Sequence, residues 1–172
     1  MIELLNDLRR TRFADLAGSR AAVDLVIPQR LINRALADAL AGSEGRLRGV
    51  TVTIHPEYRF HLDLQLSRSF VPSIAVEAVL DRQPSLPDRP ELVFRWRMAL
   101  PGLAALAGSA ATFLGKLPPG VRMEGDRVFV DIRPIVERAG AADLFPLLSE
   151  LTLSTREQVL DVHVVAQVGA AP

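Results

Sequence analysis

Residues 58–66 read YRFHLDLQL. Tyr58, Phe60, Leu62, Leu64 and Leu66 alternate with Arg59, His61, Asp63 and Gln65 without a miss. Successive side chains of a strand point to opposite faces, so this stretch is a strand with one apolar and one polar face. The rhythm continues on both sides. Upstream, Val50, Val52 and Ile54 alternate with Thr51, Thr53 and His55 before Pro56-Glu57 breaks the run, which predicts a hairpin. Downstream, Ile74, Val76, Ala78 and Leu80 alternate with Ala75, Glu77, Val79 and Asp81; Leu92, Phe94, Trp96 and Met98 then alternate with Val93, Arg95 and Arg97. Strands of this kind in succession predict an antiparallel meander with Arg59, His61, Asp63, Arg95 and Arg97 on its wet side. The proline-rich connector from Gln83 to Pro90 reads as an exposed loop.

Helical periods flank the meander. Ala21–Ile27 (AAVDLVI) is a short strand, and Pro28 opens a helix in which Leu31, Ile32, Ala35, Leu36, Ala39 and Leu40 form a broad apolar stripe, ended near Gly42. Residues 2–17 place Ile2, Leu5, Leu8, Phe13 and Leu16 on one side of a further amphipathic helix. A third is predicted over 103–116, with Leu103, Leu106 and Leu114 on one face and Ala104, Gly108, Ala111 and Thr112 on a small-residue face. A hairpin about Glu124-Gly125-Asp126, two short helical pieces split at Gly140 and Pro146, and a last hairpin turning near Thr155–Gln158 complete the order, with a frayed tail at 169–172. The fold class is α+β: one long twisted antiparallel sheet wrapped around, or covered by, amphipathic helices. At ~150 residues per domain, 172 residues form one domain.

Composition excludes several functions. The chain has 20 basic and 20 acidic residues, so it lacks the net basic face that a nucleic-acid binder needs, and no nucleic-acid partner is expected. It has no cysteine, which removes disulfides, thiolate metal sites and cysteine nucleophiles. Lys116 is the only lysine, a codon signature of a G+C-rich genome. Met1–Leu16 carries six charges where an export signal would carry an apolar run; a cytoplasmic or membrane-peripheral location follows, and an envelope location would need a leader outside this sequence. The uncharged stretch Met98–Gly115 is interrupted by Pro101, Gly102, Gly108 and Ser109 and does not read as a membrane span.

The motifs that could carry chemistry are weak. His61 and Asp63 lie two apart on one strand, with His55 on the strand before; a metal or an acid–base site would need a further convergent ligand, and solvated strand polars explain them. Ser109 lacks the flanking glycines of a nucleophile elbow. Gly42 and Gly45 follow a helix instead of opening one, so they form no phosphate cradle. No catalytic residue, metal or cofactor is assigned, and the chain reads as a non-enzyme.

The apolar face remains, and it must be covered. If helices cover it completely it is only core; otherwise it leaves a dry groove for an apolar ligand. The order of strand 21–27, Pro28, amphipathic helix and long alternating strands, with LPPGVRMEGDRVFVDIRPIVERAG (117–140) before a short helix and a final hairpin, resembles the tubular lipid-binding (TULIP) modules. These comprise the bactericidal/permeability-increasing group and bacterial envelope phospholipid-binding relatives. The resemblance covers most of residues 20–168 and rests on element order. It implies a curved sheet around a helix and a groove that holds acyl chains. The expected partner is then a lipid or apolar small molecule, with peripheral membrane contact. The groove would be lined by Leu31, Leu36, Phe60, Leu62, Leu64, Val76, Phe94, Trp96 and Val130, with Phe113 and Leu114 as lid residues. The alternative is an assembly module, a homodimer whose apolar face is closed by a partner through the small face of helix 103–116.

Overall fold

The computed structural model describes residues 13–41, 47–66, 73–98 and 119–169. Among these residues nine strands run β1 Arg20–Pro28, β2 Leu47–His55, β3 Arg59–Leu66, β4 Ile74–Arg82, β5 Glu91–Met98, β6 Val121–Glu124, β7 Arg127–Asp131, β8 Leu148–Arg156 and β9 Val159–Gln167. The helices are α1 Gln29–Leu40 and the short α2 Arg133–Arg138, with 3-10 turns at Ala14–Leu16 and Ala142–Leu147. Every strand pairing is antiparallel, and the class is α+β.

The strands form two sheets where the alternation predicts one. A six-stranded sheet has the order β2-β3-β4-β5-β7-β6, and a three-stranded sheet the order β1-β9-β8. The first is the predicted meander extended by the β6–β7 hairpin; Phe60 lies opposite Ile54 and Ala78, and Trp96 opposite Ala78, so Phe60, Leu62 and Leu64 share one face with Ile74, Val76, Ala78 and Leu80 and with Leu92, Phe94 and Trp96, while Val93, 2% exposed, is buried on the other face opposite Phe129. Tyr58 departs from the pattern. It sits in the β2–β3 turn at φ 61°, after Glu57 at φ 60°, and the strand begins only at Arg59. The second sheet arises because β1 crosses the whole chain to pair with β9, Arg20 lying opposite Gln167 and Pro28 opposite Val159.

Three side-chain carboxamides join the sheets. On α1, Gln29 and Asn33 are four residues apart and so share a face, and that face lies along the outer edge of β2. Asn33 Nδ2 donates to the Val52 carbonyl at 2.9 Å, while the Val52 N–H donates to Asn33 Oδ1 at 2.7 Å. The Ile54 N–H donates to Gln29 Oε1 at 2.8 Å, and the Ile54 carbonyl accepts from the Gln158 N–H in the β8–β9 turn at 2.9 Å. Gln83, just past the end of β4, repeats the clamp on β8: its Nε2 donates to the Leu153 carbonyl at 2.8 Å and its Oε1 accepts from the Leu153 N–H at 3.0 Å. Each bidentate amide presents one donor and one acceptor, as a neighbouring strand would, so it satisfies an edge that no strand covers.

This placement of α1 bears on two sequence readings. The helix lies beside β2, and among the described residues no helix covers the apolar face of β3–β5. Leu31 is 53% exposed and Leu36 half-buried. At 100° per residue, Leu31 is 200° from Asn33 and faces away from the sheet, whereas Leu36 lies on the Gln29–Asn33 side. The predicted helix 2–17 lies outside the described residues up to residue 12 and ends in the 3-10 turn Ala14–Leu16, entered through Phe13 at φ 61°. The predicted helix 103–116, with Phe113 and Leu114, and the tail from 170 also lie outside them.

Candidate functional site

The apolar face divides into two clusters. One is Leu80, Leu92, Ile132 and Leu153, packed by Phe60, Leu86, Phe94, Val130, Phe145, Leu151, Leu160 and Val162. Here β8, β9 and the 3-10 turn at 142–147 close over one end of the large sheet, so this half is ordinary core between two layers. The other is Ile74, Val76, Ala78 and Trp96, packed by Phe60, Leu62, Leu64, Met123 and Val128. All its described members come from the large sheet itself, from β3, β4, β5, β6 and β7.

The indole of Trp96 marks this second cluster. Trp96 is 9% exposed, and its Nε1 is buried with no hydrogen-bond partner among the described residues. A buried donor without an acceptor costs about 1–3 kcal/mol, and Trp N–H groups usually find a partner when buried. A donor is thus held in an otherwise apolar wall.

Of the residues expected to line a groove, Phe60, Leu62, Leu64, Val76 and Trp96 meet in this second cluster. Phe94 and Val130 belong to the first, with Phe60 bridging the two and meeting Phe94 edge-on at a centroid distance of 5.7 Å. Leu31 and Leu36 are on α1, in neither cluster. Sequence reasoning missed Met123 and Val128. Their signal is register: Val128 lies opposite both Phe94 and Met123, a pairing that alternation within one strand does not reveal.

The polar face behaves differently. His55 and His61 are T-shaped neighbours with ring centroids 6.4 Å apart, and His55 Nδ1 lies 3.6 Å from Glu157 Oε2. With Glu77 they line a half-open cleft of about 260 Å³. That is smaller than the ~300–1,000 Å³ of small-molecule sites. Asp63 lies opposite Thr51 and Ala75 and not in this cleft. Among the described residues, no three His, Asp or Glu side chains converge as metal ligands. A second cleft of about 290 Å³ lies beside Asp24, Asp161 and His163. Farther along the face, Arg122 stacks over the Phe129 ring at 3.7 Å and pairs with Glu91 and Glu124. These hydrogen bonds and charges raise its pKa above the ordinary arginine value.

Two of the shortest ion pairs hold turns. Arg133 Nη2 lies 2.7 Å from Asp131 Oδ2, and the Arg133 N–H donates to Asp131 Oδ1 at 3.0 Å, an Asx turn that starts α2. The side-chain bond from Arg133, assisted by its N–H and its charge and opposed by burial, holds the Asp131 carboxyl below its ordinary value of 3.8. Arg156 does the same to Asp161 through bonds of 2.6 and 2.7 Å. A carboxyl depressed in the folded state adds stability above its unfolded pKa of ~3.9 and loses it as pH falls through the folded value. Arg133→Gln is therefore expected to move the Asp131 titration upward in carboxyl ¹³C spectra and to flatten stability loss below pH ~4. An Asp131 that titrates at one pH in both proteins would remove the assigned cause.

No helix among the described residues is long and apolar enough to cross a membrane. Comparison with protein-family models, curated proteins and solved structures finds no match to the chain.

Proposed function

We propose that the protein binds a lipid or other long apolar ligand, without catalysis, along the apolar face of the large sheet, as the resemblance to tubular lipid-binding modules implies. The observation that carries this reading is the Trp96 cluster: a stripe from five strands, with a buried indole N–H that has no acceptor among the described residues. An acyl chain satisfies the apolar wall. A neutral ester carbonyl next to it satisfies the indole at less cost than a carboxylate, because burying a charge is dearer than burying a dipole. The lining is then Phe60, Leu62, Leu64, Val76, Trp96, Met123 and Val128. Phe94 and Val130 extend it toward the closed end.

Trp96 is the only tryptophan, so its fluorescence reports the site directly. Vesicles of a phospholipid brominated in its acyl chains are expected to quench it saturably, and unbrominated vesicles to shift its emission without quenching. Native mass spectrometry is expected to find co-purified lipid. Emission that no brominated lipid alters, together with a lipid-free protein by mass, would sink the reading.

A further inference from the structure

Four strand edges terminate the two sheets, and three are protected. The β2 edge is clamped by Asn33, Gln29 and Gln158, and the β8 edge by Gln83 at Leu153. The edge strand β6 is four residues long and carries Arg122 and Glu124. Short, charged strands are a standard defence against edge-to-edge pairing. The fourth edge, β1, has nine residues and no clamp among the described residues.

Hydrogen bonds at its ends fix which of its groups are free. The Val168 N–H donates to the Ser19 carbonyl at 3.0 Å, and the Gln29 N–H to the Gln158 carbonyl at 2.8 Å. Bonded pairs alternate along an antiparallel ladder, so Ala21, Val23, Leu25 and Ile27 direct their N–H and C=O groups to β9. Arg20, Ala22, Asp24 and Val26 direct theirs outward, where no described residue meets them. Pro28, also at an outward position, has no N–H to leave unpaired. All side chains from Arg20 to Val26 are exposed, with Val26 at 62% and Val23 at 50%.

We propose that β1 is a self-association edge, pairing antiparallel with β1 of a second copy of this chain about a two-fold axis at Ala22. Charge selects the register. With Ala22 opposite Ala22 of the partner subunit, each Arg20 lies opposite Asp24 of the partner subunit, which gives two favourable cross-strand pairs. An axis at Asp24 sets like charges face to face, and an axis at Val23 places Arg20 opposite the partner's Val26. Asp24 is held for this role by His163, whose Nδ1 lies 2.6 Å from Asp24 Oδ1. Arg20, Ala22 and Asp24 of both copies then exchange about six backbone hydrogen bonds. Growth stops at two copies. The merged sheet ends on both sides in β8, whose edge Gln83 already occupies, so the symmetry closes.

Two paired edges bury less than the ~1,200 Å² of a standard interface. The dimer is therefore a concentration-dependent equilibrium, and it is independent of lipid binding. Sedimentation velocity from about 5 to about 500 µM is expected to show the weight-average mass rise toward twice the monomer. Asp24→Arg is expected to weaken the dimer about tenfold, and Arg20→Asp combined with Asp24→Arg to restore it. Ala22→Pro removes an outward N–H without touching the β9 ladder, and is expected to give a folded monomer. A wild-type monomer at every concentration overturns the proposal. So does a dimer that survives Ala22→Pro, or a double swap as weak as the single one.

Discussion

Asn33→Leu is expected to destabilise the protein by about 2–6 kcal/mol, because it leaves two backbone groups of a buried residue unpaired at about 1–3 kcal/mol each. Leucine has the same branched four-heavy-atom outline as asparagine, and it is the better helix former, so propensity does not explain the loss. What disappears is the pair of bonds at 2.7 and 2.9 Å to Val52, itself 8% exposed beneath α1. For a chain of this length, ~2–4 °C per kcal/mol turns this into a melting temperature lower by roughly 4–24 °C. Arg34→Leu, on the exposed neighbour, is the control and should stay within ~0.5 kcal/mol of wild type. If the two variants melt together, the amide adds nothing to the seam between the sheets.

The second large effect is at Ile54, which is 0% exposed. Its side chain faces Phe60 across the β2–β3 pair, and its N–H and C=O are held by Gln29 and Gln158. Fixed by bonds from two other elements, this backbone cannot shift to fill a void, so Ile54→Ala keeps most of its cavity. The expected cost is about 2–5 kcal/mol. Urea titration should show the midpoint fall with an unchanged slope, while Val26→Ala, at a position 62% exposed, leaves it in place. A loss at Ile54 below about 1 kcal/mol would mean that the site collapses, and that the seam is softer than its hydrogen bonds indicate.

Period-two alternation made the large sheet legible. Within 59–65, 74–80 and 92–97 each residue's face follows from its parity, and the cross-strand pairs Ile54–Phe60 and Ala78–Trp96 keep that parity. The helix at 29–40 was legible from its stripe, although the side it presents to β2 was not. Hydrophobicity alone weights Leu31 with Leu36, whereas the amides of Gln29 and Asn33 decide the rotation. Gln83 reads as an ordinary loop residue until Leu153, 70 positions away, is placed beside it. The split into two sheets depends on Arg20 meeting Gln167, a contact that alternation, being the same whichever strand is the neighbour, cannot encode. For the candidate site, the stripe named Phe60, Leu62, Leu64, Val76 and Trp96. It did not distinguish the end closed by β8 and β9 from the end around the indole, because that depends on where the second sheet sits.

The carboxamide clamps also bear on how such a chain can diverge. Among the described residues, Asn33 and Gln83 bond to main-chain atoms of Val52 and Leu153, and every residue but proline offers the same two atoms. The joint between the sheets therefore places almost no demand on the identity of the residues it grips. Substitutions that reshape the apolar wall can accumulate strand by strand while two amides keep the architecture in register. Scaffold and specificity are in this way written in separate letters of the sequence.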